Sequence, residues 1–278
     1  MNISSEVLID HIGYSDESHH SAGKYRAISL FSLTKKADKE VKGRYKQILD
    51  QYGKQEFKWK KLRSYDYECF SKDILDLVFD ALEEANDLRI DTLYWDTEDS
   101  RHNVSSRDDV ENFVLMYYKL IKNVLTERWP SRSVWKINSH QYSAIDFNEL
   151  EIELKKKQII YPKPKDPRLN YWLNKIEEID SEKKILSQIP DLFAGVSVFF
   201  AKNMFRYEKW KEEEIEEKSM SNSEIHRFRF LKYFLEKLRN NSMHIKLRND
   251  GLYTPHPGKP INFWFYRPQS PKDKAPTK

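Results

Sequence analysis

Hydrophobic positions along the chain switch between two spacings, and the switches outline an alternation of strands and helices. Residues 7–15 and 24–33 are apolar with polar interruptions and read as strands. The short SHHSAG connection between them predicts an antiparallel hairpin. Helical spacing follows over 36–52, where Val41, Tyr45, Ile48, Leu49 and Tyr52 share a face and Gly53 stops the run. The stretch QEFKWKK, 55–61, alternates and predicts a third strand or an extended segment. Residues 67–85 predict a helix built on Phe70, Ile74, Leu77, Val78 and Leu82. Residues 88–95, LRIDTLYW, predict a strand that runs into the acids Asp96, Glu98 and Asp99.

A long helix over 107–128 and a strand over 133–139 come next. Asp146 and Glu149 have the spacing of a capping box that opens a helix to about Lys156. The Pro- and Lys-rich stretch 155–168 reads as a loop, and 171–179 as extended. PDLFAGVSVFFAKN, 190–203, predicts a strongly apolar helix with proline near its first turn. The run KWKEEEIEEK reads as a solvated helix. Ser221 and Glu224 then cap an amphipathic helix over 225–239, whose apolar face is core or an oligomer contact. A last strand is predicted over 261–266, and the tail PQSPKDKAPTK reads as disordered. The order of elements is that of a mixed α/β protein, a largely apolar sheet covered by helices.

Composition narrows the function classes. A chain of 278 residues with 39% hydrophobic and 14% aromatic content is globular and large enough for one sizeable domain with a helical addition. Seven glycines, none in a phosphate-loop or dinucleotide pattern, argue against those folds. The single cysteine, Cys69, excludes an internal disulfide and a cysteine-rich zinc site. No apolar run reads as long enough to span a bilayer, and the first residues lack a signal-peptide pattern, so a cytoplasmic location with no membrane partner is expected. The net charge of +4 permits a nucleic-acid partner without demanding one.

The candidate chemistry lies in acids at comparable positions. Asp16 ends the first strand with Glu17 beside it, Asp96 ends the 88–95 strand, and Asp191 lies in the first turn of the apolar helix. Glu56 is a fourth candidate. Carboxylates gathered at strand ends suit Mg²⁺ or Mn²⁺, and two such ions can clamp the attacking and leaving oxygens of a phosphodiester. Around Trp59 stand Lys58, Lys60, Lys61 and Arg63, where basic side chains would neutralise phosphates and the ring would stack on a base. Each feature also has a plain structural reading: a hairpin loop, a turn cap, a helix-dipole carboxylate, or an edge strand defended by lysine. His19, His20 and His102 read as surface loop residues that could also assist proton transfer or touch substrate.

The order and placement of four short motifs add a resemblance. They are DES (Asp16, Glu17, Ser18), EFKW (56–59), YWD (94–96) and QIPDLFAGV (188–196). Over 8–203 the sequence resembles a DUF3800-like family of the ribonuclease-H-like superfamily, found in bacteria and phages. Pro190 stands where that family usually has alanine, and His19 and His20 where it usually has glycine after Asp-Glu-Ser. The resemblance implies a ribonuclease-H-like domain over 1–206; it does not reach the C-terminal quarter, where the residue pattern itself predicts a helical extension packed on the core over 207–267 and a disordered tail over 268–278. The resemblance also implies a two-metal, Mg- or Mn-dependent nuclease, with Asp16, Asp96, Asp191 and Glu56 catalytic and Asp16, Glu17, Asp96 and Asp191 as metal ligands. The nucleic acid, DNA or RNA, would lie on Lys58, Trp59, Lys60, Lys61 and Arg63. A role in phage defence or a mobile element is the setting the resemblance suggests. A catalytically inactive nucleic-acid- or protein-binding module stays open as the alternative, as does an effector held by a partner, or by a second copy, through the C-terminal helices.

Overall fold

A computed structural model of the chain describes residues 8–18, 23–84, 87–99, 108–130, 132–141, 145–160, 171–248 and 251–267. Its centre is a six-stranded sheet of order β5-β4-β1-β2-β3-β8. The strands are β1 (His11–Ser18), β2 (Tyr25–Thr34), β3 (Leu88–Asp96), β4 (Val134–His140), β5 (Trp172–Ile179) and, late in the chain, β8 (Ile261–Phe265). β2 pairs antiparallel with both β1 and β3, while β1 with β4, β4 with β5 and β3 with β8 are parallel. β2 alone therefore runs against the other five. The expected mixed α/β architecture is what the chain adopts.

Helices cover both faces, which is why the central strands read as near-continuous apolar runs. Along β2, Ala27, Phe31 and Leu33 enter one core while Ile28 and Leu30 enter the other. The first face packs against α1 (Lys35–Gln51), α2 (Tyr65–Glu84), α5 (Gln188–Lys211) and α6 (Asn222–Asn240). The second packs against α3 (Asp109–Asn123) and α4 (Phe147–Ile160). Caps read in the sequence are present: Ser221 and Glu224 form a reciprocal box at α6, and Asp146 accepts from the amides of Asn148 and Glu149. Asp108 and Glu111 form a further box at α3.

Several expectations are corrected. Of the two readings of QEFKWKK, a strand or an extended segment, the strand is excluded and the extended segment stands. It is an irregular segment closed by a single 3-10 turn at Trp59–Lys61, and it crosses above α5 instead of joining the sheet. The helix predicted over 107–128 is regular only to Asn123 and ends in a wider π-type turn, Val124–Arg128. The 155–168 loop begins later than expected because α4 continues to Ile160. The run KWKEEEIEEK is not one helix: α5 ends inside it, and a short 3-10 turn follows at Glu217–Ser219. The tail after 267 lies outside the described residues.

The boundary expected at 206/207 falls inside α5, which is continuous to Lys211. The last strand predicted over 261–266 is present as β8, so the C-terminal part carries strands as well as α6. That part supplies β8 to the main sheet and a two-stranded ribbon, β6 (Lys246–Arg248) with β7 (Gly251–Tyr253). Gly251 has φ +130, and a Cβ there would come 2.4 Å from the Tyr94 hydroxyl. Only glycine fits both demands, so Tyr94 on β3 can donate to the Leu252 carbonyl at 2.5 Å.

α5 runs across the sheet as the core helix. Ile185–Lys211 is long and apolar enough to cross a membrane, but 83% of its apolar window is buried inside the molecule, so its hydrophobicity is that of a covered helix. The 3-10 turn rests directly on it: a Cβ on Gly195 would stand 2.2 Å from Cγ of Trp59. Trp59 is thereby buried among Phe199 and Phe230. Gly195→Ala is expected to lower stability by about 1–3 kcal/mol through overpacking, read as a shift in the denaturant midpoint. An unchanged midpoint would mean that the turn does not lie on the helix.

Candidate metal centre

β1 extends to Ser18, so Asp16 and Glu17 are strand residues and not the start of a loop. Successive strand side chains leave on opposite faces. Asp16 therefore shares the α5 face with Tyr14, and Glu17 projects toward α3, where the Tyr117 hydroxyl donates to its Oε2 at 2.7 Å. The parallel neighbour β4 ends level with them. Ser15 pairs with Ser139, and their hydroxyls are 2.8 Å apart. The next residue on each strand is then Asp16 on one and His140 on the other. His140 Nδ1 lies 3.7 Å from Asp16 Oδ1 and 4.0 Å from Glu17 Oε1. One ligand atom from each of the three side chains lies within 4.8 Å of the other two.

The first turn of α5 brings Asp191 near enough for its charge to raise the pKa of both Asp16 and Glu17, although it is not one of the three groups whose ligand atoms lie within 4.8 Å of one another. Asp191 Oδ2 accepts from the Trp59 amide at 2.7 Å. Gln188, one turn earlier and buried, ties the neighbouring segments together. Its Oε1 accepts from the Tyr45 hydroxyl and the Phe57 amide, and its Nε2 donates to the Ser181 carbonyl. This fixes the backbone that carries Lys58, whose Nζ donates to Ser181 Oγ at 2.9 Å. The QIPDLFAGV motif thus works as a clamp. Its glutamine and aspartate hold 56–59 against α5, and its glycine makes room for Trp59.

These groups stand in one electrostatic environment. Burial, then the charges of Glu17 and Asp191, push Asp16 well above the usual carboxylate range, against the pull of Lys58 and the Glu17 amide. Burial and Asp191 raise Glu17 to about 7, although the Tyr117 hydroxyl and Lys58 oppose the shift. Burial raises Asp191 to about 6, opposed by the Trp59 amide and Lys58. Lys58 acts on all three carboxylates. Lys60 also bears on Asp191, and a divalent cation would add positive charge among the acids. Two carboxylates and an imidazole are a fitting donor set for such an ion, and the imidazole favours Mn²⁺ over Mg²⁺.

Not every candidate joins. Asp96 does not. Asp16 is level with Ser29 on β2, whereas Asp96 is level with Tyr25, four residues further along. At about 3.3 Å per residue and about 4.8 Å per strand, Asp96 lies roughly 13 Å along the sheet and two strands across from Asp16. There it pairs with Lys24 at 3.4 Å and accepts from the Glu98 amide, a capped turn. Glu56 stands close enough to Asp191 to raise its pKa, but its own carboxylate is held by Lys61 at 2.9 Å with Lys58 at 3.7 Å. Trp59 is buried in the core and offers no ring for stacking on a base. Lys60, Lys61 and Arg63 are exposed beside the site, as a basic surface requires. His19, His20 and His102 lie outside the described residues.

The residue that sequence reading missed is His140. It directly follows the predicted 133–139 strand, so the strand-end rule applied to Asp96 would have flagged it too. What the sequence did not carry was that β4 lies beside β1 and runs parallel to it. Tyr117, on the helix predicted over 107–128, orients Glu17.

Raised carboxylate pKa values mean that the folded protein holds protons the unfolded chain releases. The stability associated with them is full at low pH and is lost as pH rises through about 6 to 7. Without a divalent ion, the thermal midpoint is expected to fall between pH 5 and pH 8, in the part that Asp16→Asn removes. Mn²⁺ is expected to raise the midpoint at pH 8 and to have little effect at pH 5, where protons compete for the ligands. An equal Mn²⁺ effect in wild type and Asp16→Asn would place the ion elsewhere.

No family model matches the chain. Two proteins of Methanothermobacter thermautotrophicus are similar to it over nearly their whole length. The uncharacterized protein ORF2 is 34% identical over 284 residues, covering 96% of this chain and 97% of its own. The uncharacterized protein ORF2' is 34% identical over 280 residues, covering 95% and 96%. Identity of this extent, spread from end to end, places the chain in the same family as ORF2 and ORF2' of that archaeon.

Proposed function

We propose that this protein is a divalent-metal-dependent nuclease with a ribonuclease-H-like core. The observation that carries the reading is the convergence of Asp16, Glu17 and His140 within 4.8 Å, with Asp191 beside them, at the C-terminal end of adjacent parallel strands. The strand order β5-β4-β1-β2-β3, with β2 alone reversed, supports the ribonuclease-H-like assignment. So does the position of Asp191 on a late helix that packs on β1.

Asp16, Glu17 and His140 would hold the ion, and Asp191 would add an oxygen from the α5 side. A divalent ion bound there supplies a water of lowered pKa and neutralises charge on the phosphodiester oxygens. The remaining work falls to the protein's own groups. Lys58, pinned by Ser181, would hold a phosphate oxygen against the acids. Tyr117 keeps the Glu17 carboxylate in one orientation. The exposed Lys60, Lys61 and Arg63 would follow the sugar-phosphate backbone away from the site, without base stacking, so binding would depend on salt more than on sequence.

The test is cleavage of labelled single-stranded and duplex DNA and RNA with Mn²⁺. Wild type is expected to cleave at least one of them, and EDTA or Asp16→Asn to abolish cleavage with the circular-dichroism spectrum unchanged. His140→Ala is expected to lower activity and to weaken Mn²⁺ more than Mg²⁺. Cleavage that persists in both EDTA and Asp16→Asn would overturn the mechanism. Tight Mn²⁺ binding with no cleavage of any substrate would favour a non-catalytic binding module.

A further inference from the structure

The face of α5 that carries Asp191 continues past the metal centre. At about 3.6 residues per turn, Lys209 comes about five turns after Asp191, and Lys202 and Phe205 fall within about 40° of the line joining them. Residues 192–201 are covered, and the helix then emerges with Lys202 and Phe205 exposed. A lone surface ring means little by itself, so the surroundings of Phe205 decide what it can do. Lys209 Nζ lies 4.8 Å over one face of the ring. At 73% exposure, the rest of the ring stands open to solvent.

Between Asp191 and Lys202 the same face is bridged by the 3-10 turn seated on Gly195, whose outer side carries Lys60, Lys61 and Arg63. Arg227 of α6, over the rings of Trp59 and Phe199, adds a guanidinium between that turn and Lys202. Some cations here are already matched: Lys61 pairs with Glu56 at 2.9 Å and Arg206 with Glu224 at 3.0 Å. Among the described residues, no carboxylate pairs with Lys60, Arg63, Lys202 or Lys209. Glu208, the acid next to Lys209, is engaged by Lys211. The face thus offers a row of uncommitted cations that begins beside the metal centre and ends on an open ring. Such a row suits a single nucleic-acid strand, whose phosphates follow the cations while an unstacked base lies on the ring.

We propose that this row is a path for single-stranded DNA or RNA, with a base stacked on Phe205. It deepens the proposed nuclease function and rests on it for the direction of the path, which would lead the strand to the metal centre. Lys60 and Arg63 would hold the phosphates nearest the acids, and Lys202 and Lys209 those beside the stacked base. A duplex keeps its bases stacked on one another and has none to give the ring. Phe205 stands about 21 Å along α5 from Asp191. A strand stacked at about 3.4 Å per nucleotide covers that length in roughly six nucleotides.

Fluorescence anisotropy in EDTA reads this path without cleavage. The probes are a labelled single strand of about 12 nucleotides, roughly twice the span, the duplex of the same length, an abasic strand, and vesicles of phosphatidylserine. The single strand is expected to bind more tightly than the duplex. Phe205→Ala should weaken it about fivefold or more, Phe205→Trp should retain it, and the abasic strand should bind wild type and Phe205→Ala alike. Lys202→Gln with Lys209→Gln should reduce the slope of log affinity against log salt by about 1.4. Circular dichroism checks the fold of each variant. Asp16→Asn should bind as wild type does, so absent cleavage with intact binding counts against the metal mechanism and not against the path. The proposal is overturned if the single strand does not bind or binds no better than the duplex. It is also overturned if Phe205→Ala binds unchanged or loses the abasic strand equally, if the lysine pair leaves the salt slope unchanged, or if only the vesicles bind.

Discussion

Residues 11–15 of β1 hydrogen-bond in parallel register with residues 135–139 of β4, and the meeting of the β1 acids with His140 follows from that pairing. It sets Ser15 beside Ser139 and so puts Asp16 beside His140. A slip of one residue would turn Asp16 toward α3 and Glu17 toward α5, since strand side chains alternate with a period of two. The register is protected because both faces of these strands are buried. Tyr14 belongs to the α5 core, and Trp135 and Ile137 to the α3 core. The hydrophobic alternation that builds the fold therefore also aims the acids.

The same arrangement sets a cost. Three carboxylates with raised pKa values stand near one another, with Lys58 bearing on all of them and Lys60 on Asp191. Burial dominates each shift, with mutual repulsion added. A fold that keeps such a cluster gives up stability at neutral pH unless a cation returns it, so strained charge at the mouth of a well-packed sheet points to a ligand more than to a structural role. Gln188 shows how much surrounding structure is committed to it. One buried amide side chain joins α1, the 56–59 segment and the turn before α5.

The C-terminal quarter is part of this structure and not an appendage. β8 completes the sheet against β3, and the β6-β7 ribbon is fastened to Tyr94 through a position that only glycine tolerates. Arg227 of α6 lies 5.4 Å over the Trp59 ring, which ties that helix to the turn beside the metal centre. Both proposed sites thus depend on residues far apart in the chain.

What the sequence determined by itself is what local forces decide. Periodicity located most helices and strands, and the capping residues at Asp146 and Ser221 marked true starts, because both signals act within one or two turns of the chain. Asp16, Glu17 and Asp191 were legible as acids at element ends. The tertiary structure alone decided which acids meet. Asp96 has the same local signature as Asp16, but strand register carries it away to Lys24, while His140, with no acidic signature at all, is carried in by a parallel neighbour. Trp59 looked like a ring for a base among lysines, yet a glycine 136 positions later, on α5, opens the space that buries it. Pairing and packing join residues with no sequence relation, and only the assembled fold fixes their distances.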